Sequence, residues 1–111
     1  MDNDKATSQV ETIHLNHFLN RKTELLKLDV EGAEYEILKD IEPNLYFVKY
    51  LFIEYHSPAN QEQILSLILD IIKNSGFRYY IKEAFVSRHP FSEIEEQDSM
   101  DLQLNIYCLR K

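Results

Sequence analysis

Glycine is nearly missing from this chain. It occurs only at Gly32 and Gly76, 44 positions apart. A glycine-rich turn that cradles a phosphate or nucleotide needs several glycines close together, so neither a GxGxxG loop nor a P-loop can be built from these residues. Cysteine is rarer still. Cys108 stands alone in the apolar run "NIYCL", which rules out an internal disulfide and leads us to expect a cytoplasmic protein. Positive charge is also short. Lys and Arg number 12 against 19 Asp and Glu, for a net charge of -7, and neither "KATS" nor "NRK" makes a basic patch. Nucleic acid and anionic membrane are therefore not expected as partners. No apolar run approaches the length that spans a bilayer, and the opening "MDNDKATSQ" has no apolar signal region.

What is present fits one small α/β domain over residues 1–111, with 1–9 as a flexible leader. The informative stretch is "LLKLDVEGAEYEIL", Leu25 to Leu38. Leu25, Leu26 and Leu28 around Lys27 predict a strand, from Glu24 to Val30, buried on both faces. Asp29, Glu31 and Gly32 interrupt it. From Ala33 the apolar residues recur as Ala33, Ile37, Leu38 and Ile41, the spacing of one helix face. The result is a strand, an acidic turn and a helix, and the carboxyl end of such a strand is where open α/β sheets bind ligands.

Elsewhere, "QVETIHL" predicts a weak strand and "LNHFLNR" one helical turn that Asn16 can cap. The Ala33 helix carries Glu34 and Glu36 in its first turn, favourable against the helix dipole, and ends before Pro43. "VKYLFIEYH" predicts a second buried strand, closed by Pro58. Asn60 and Gln63, at capping-box spacing, open the longest helix, whose buried stripe is Ile64, Leu65, Ile68, Ile71 and Ile72 and whose C-cap is Gly76. "FRYYIKEAF" and "LQLNIYCLR" are two further strands joined by a long acidic connection. With no helix between them they should pair antiparallel.

"ELLKLDVEGAEYEIL" followed by "LFIEYH", with "VETIHLNHFL" leading in, resembles the FkbM-type family of S-adenosylmethionine-dependent methyltransferases. The resemblance runs from about Val10 to Phe77. It implies the C-terminal half of a Rossmann-like class I methyltransferase sheet: strands 4-5-7-6 of the full order 3-2-1-4-5-7-6, with strand 7 antiparallel and helices flanking. S-adenosylmethionine is the implied cofactor. The family's glycine-rich loop and the acidic end of its strand 2 are absent from these residues, and Asn16 stands where an aspartate is common. Without them, cofactor binding by this chain alone is not expected, and the chain reads as a truncated or excised half.

The resemblance places Asp29 where the family faces the cofactor's methyl group and the acceptor. Asp29, Glu31 and His56 are the catalytic candidates, Asp29 and Gly32 the cofactor-side ones, and Glu31, Glu54 and His56 the substrate-binding ones. Imidazole titrates near neutrality, which suits His56 as a general base. The plainer alternatives are that Glu31 caps the helix, Asp29 bonds turn backbone, His56 is an ordinary rim residue and Gly32 serves backbone geometry. Asp29, Glu31, Glu54 and His56 could hold a divalent cation if all four converged; no metal is assigned on sequence alone. His14, His17 and His89 read as surface residues, and Tyr46, Tyr50, Tyr55, Tyr79 and Tyr80 as core or sheet-face residues.

Two structural expectations follow. The connection from Ser87 to Asp101 should form a mobile, lid-like segment on the rim that carries Asp29 and His56. The strand 24–30, with no neighbour on its outer side, should be an edge through which two copies pair, giving a homodimer. A self-associating half-domain without catalysis is thus the alternative to an enzyme.

Overall fold

The strands that the apolar runs predict assemble into one mixed sheet. The computed structural model describes residues 22–29, 32–92 and 94–110. In chain order these form β1 (Thr23–Leu28), α1 (Glu34–Ile41), a 3₁₀ helix (Glu42–Phe47), β2 (Val48–Pro58), α2 (Leu65–Asn74), β3 (Arg78–Glu83) and β4 (Met100–Leu109). The sheet order is β1-β2-β4-β3. β1 runs parallel to β2, while β4 is antiparallel to both β2 and β3. This is an α/β arrangement compatible with part of a methyltransferase sheet. The expected strand at Val10–Leu15, the turn at Leu15–Leu19, the leader 1–9, Asn16, His14, His17, Val30 and Glu31 lie outside the described residues.

Strand alternation sorts the sheet into a covered and an open face. On the covered face Leu26, Leu51 and Cys108 lie in one row and Leu28, Ile53 and Ile106 in the next. α1 and α2 touch each other and close over these rows, with Ile37, Leu38 and Ile41 from one and Ile68, Ile71 and Ile72 from the other. Each such side chain stabilises the fold by about 1.5–3 kcal/mol, so this layer holds the molecule together. The open face carries Leu25, Tyr50, Tyr80, Tyr107 and Leu109, all exposed.

Three expectations need correction. β1 is not buried on both faces: it is an edge strand among the described residues, and Leu25 is 59% exposed. The Asn60–Gln63 capping box does not form. α2 begins at Leu65 after Ile64, and the Ile64 N–H donates instead to the Tyr55 hydroxyl at 3.2 Å. A buried tyrosine reaching from β2 therefore supplies the acceptor, while Gln63 Nε2 donates to Asp101 at 3.4 Å. Of the five tyrosines, Tyr55 is core and Tyr50, Tyr79 and Tyr80 lie on strands of the sheet as expected; only Tyr46, exposed in the 3₁₀ helix, departs from the expectation.

The end of α2 follows expectation. Gly76, at φ +88°, donates to the Lys73 carbonyl and Phe77 to that of Ile72, the two bonds of a Schellman motif. Arg110 locks this end of the molecule. Its guanidinium donates to the carbonyls of Val48 (2.8 Å), Ser75 (2.7 Å) and Leu45 (2.7 Å) and stacks 4.0 Å from the Phe77 ring. At the opposite end, the connection before β4 meets the carboxyl edge of β2, where the Ala59 N–H donates to the Ser99 carbonyl at 2.9 Å.

Candidate functional site

The parallel register of β1 and β2 builds the site. Leu28 pairs with Ile53, so one step further Asp29 and Glu54 emerge side by side at the carboxyl edge. His56 follows two residues later on β2. One ligand atom each from Asp29, Glu54 and His56, a carboxylate oxygen or a ring nitrogen, all lie within 4.8 Å of one another. The structure thus brings together three of the residues expected from sequence. Gly32, at φ +98°, forms the turn into α1, a conformation that disfavours any side chain.

The residue that sequence reasoning missed is Glu34. It stands in the first turn of α1 as expected, but buried: it is 1% exposed, while Glu36 in the same turn is solvated. Glu34 Oε2 accepts from His56 Nδ1 at 2.9 Å and from the Gly32 N–H at 3.0 Å, and Oε1 accepts from the His56 backbone N–H at 3.4 Å. Three donors satisfy a carboxylate that would otherwise be costly to bury. The signal was available. Glu34, Ile37, Leu38 and Ile41 follow the i, i+3, i+4, i+7 pattern, so Glu34 sits on the buried helix face.

Electrostatics sharpen the arrangement. The Glu34 hydrogen bond holds the His56 pKa above its ordinary value against the opposing effect of burial, and the negative charges of Glu34, Glu54 and Asp29 add to the rise. Burial, followed by the charge and hydrogen bonding of the neighbouring Asp29, raises the Glu54 pKa, with His56 and Lys27 partly offsetting this. The rim is therefore a pair of neighbouring acids beside an imidazole whose tautomer a buried carboxylate sets. Such a group can take a proton, bind a cation or orient a hydroxyl.

An α/β sheet that gathers acids and a histidine where adjacent parallel strands end has the place at which such folds bind ligands. The sequence model of the methyltransferase FkbM domain matches residues 2–79, and the chain belongs to that family. No curated protein and no solved structure matches it.

The family uses S-adenosylmethionine. The described residues fit one side of that group, since Asp29 and Glu54 offer carboxylates suited to a cationic centre. They do not fit its adenosine and carboxylate ends, for which the 111 residues contain no glycine-rich turn.

Proposed function

We propose that this chain contributes the acceptor side of an S-adenosylmethionine-dependent O-methyltransferase, with β1, β2, β4 and β3 standing as strands 4, 5, 7 and 6 of a class I sheet. The glycine-rich grip on the cofactor comes from polypeptide outside these 111 residues. The observation that carries this reading is the Glu34–His56 pair, buried beside Asp29 and Glu54 at the carboxyl edge of two parallel strands. Methyl transfer from a sulfonium is an in-line displacement, so the protein's tasks are to align the acceptor and accept its proton. With Nδ1 engaged by Glu34, His56 presents Nε2 as the base. Asp29 and Glu54 position the acceptor hydroxyl, joined by Glu31 from the same motif.

The test combines this chain with the glycine-rich half of a methyltransferase of the same family and measures methyl transfer to hydroxyl acceptors. His56→Gln should lower the rate by about 10²–10⁴-fold, the range for loss of a general base. Unchanged turnover in that variant would count against the assignment. The chain alone should bind no S-adenosylmethionine stoichiometrically by calorimetry at micromolar concentration.

A second reading, a non-enzymatic module that pairs with itself, has its own support. β1 has a neighbour on one side only among the described residues, with Leu25 exposed beside the aromatic open face. Sedimentation velocity decides this point. A homodimer is expected, and a monomer at high concentration removes the idea.

A further inference from the structure

We propose that Asp29, Glu54 and His56 bind one first-row divalent transition-metal ion, of the Mn²⁺ or Zn²⁺ type, with Glu34 orienting the imidazole. His56 is 7% exposed, and its Nδ1 is taken by Glu34 at 2.9 Å. Among the described residues no group hydrogen-bonds Nε2, so a nine-tenths-buried imidazole keeps a lone pair available beside two carboxylates. A carboxylate oxygen of Asp29, one of Glu54 and one of the two His56 ring nitrogens lie within 4.8 Å of one another. Oxygen and nitrogen ligands bind such ions at about 2.0–2.2 Å, so small side-chain movements bring all three onto one centre. Asp29 is exposed and Glu54 half-buried, which leaves both free to make them.

Two further features fit a cation. Asp29 and Glu54 are like charges side by side, which His56 and Lys27, itself 5.7 Å from the Phe52 ring centroid, offset only in part. An ion between the carboxylates relieves that repulsion. A buried carboxylate accepting from the far nitrogen of a histidine is also the usual support of a metal-bound imidazole, fixing tautomer and ring orientation. Two carboxylates with one imidazole favour Mn²⁺, Fe²⁺ or Zn²⁺ over the all-oxygen sets preferred by Mg²⁺ and Ca²⁺. Three protein ligands leave open positions for water or an acceptor hydroxyl, whose proton the ion would make easier to lose. The base role proposed for His56 belongs to the ion-free site; with the ion bound Nε2 is a ligand, and the acidified hydroxyl would give its proton to solvent.

Binding is measured without cofactor or acceptor, so it stands or falls apart from the methyl-transfer reading. Electron paramagnetic resonance follows free Mn²⁺ as it is titrated into the full chain after EDTA treatment and dialysis. One Mn²⁺ per chain should leave the free pool. Asp29→Asn and Glu54→Gln, which alter residues outside the core, should keep the wild-type circular dichroism and weaken binding by about tenfold or more, and Glu34→Gln by a similar factor through the imidazole it orients. Zn²⁺ added afterwards should return the Mn²⁺ to the free pool. A folded wild type that leaves the free Mn²⁺ signal unchanged overturns the proposal. So do equal titrations in wild type and Asp29→Asn, or Mn²⁺ that Zn²⁺ cannot displace.

Discussion

Glu34 and His56, 22 positions apart, meet through a 2.9 Å contact between Oε2 and Nδ1, and both are buried. Removing one partner strands the other. Glu34→Ala leaves the His56 side chain and two backbone N–H groups without their acceptor, and should cost about 2–4 kcal/mol in urea unfolding. Glu36→Ala, one turn position away, removes only a solvated i,i+3 pair with Lys39 and should cost less than about 0.5 kcal/mol. Equal effects would mean that Glu34 is solvated in the folded chain.

Arg110 joins the C-terminal strand to three separate carbonyls, at the end of the 3₁₀ helix, the start of β2 and the end of α2. Arg110→Ala should destabilise the fold by about 2–4 kcal/mol, because hydrogen bonds from a charged donor are worth more than neutral ones. Arg110→Lys should recover only part of this, since an ammonium cannot reproduce the planar fork. Full recovery by lysine would contradict the geometry.

Burial pushes the Cys108 thiol from 9.0 up to about 12. The folded chain therefore holds this proton over a range in which the unfolded chain releases it. The stabilising contribution is complete below about pH 9 and is lost as pH rises from there toward about 12. At pH 9 the folded thiolate fraction is roughly a thousandth, against about half when unfolded. Iodoacetamide should label Cys108 slowly in the native state and rapidly in denaturant. Rapid native labelling would place the thiol at the surface.

Much of the architecture was legible because periodicity and end signals agree. The β-branched and aromatic run "VKYLFIEYH", the Ile stripe of α2 and the glycine at position 76 each point to the element that forms. Asp29, Glu54 and His56 could be placed on one edge because parallel strands share their carboxyl ends. Features that depend on long-range geometry were not legible. Tyr55 displaces the Asn60–Gln63 capping box because its hydroxyl arrives at Ile64 from a different element. Leu25 reads as core from its neighbours alone, yet the two helices cover only one face of the sheet. Glu34 is intermediate. Its position on the apolar helix stripe was visible, but the partner that makes a buried carboxylate tolerable lies on β2, and only the fold brings it there.

Glu34 Oε2, at 2.9 Å, is placed to hold a proton on His56 Nδ1, which leaves Nε2 as the open nitrogen of a ring beside Asp29 and Glu54. Nitrogen-15 NMR of the imidazole in the EDTA-treated chain, followed through its titration, tests this most directly. The Nδ1–H tautomer is expected above the titration, with a pKa higher than that of ordinary histidine that falls in Glu34→Gln. An Nε2–H tautomer, or a titration that Glu34→Gln does not move, would contradict it.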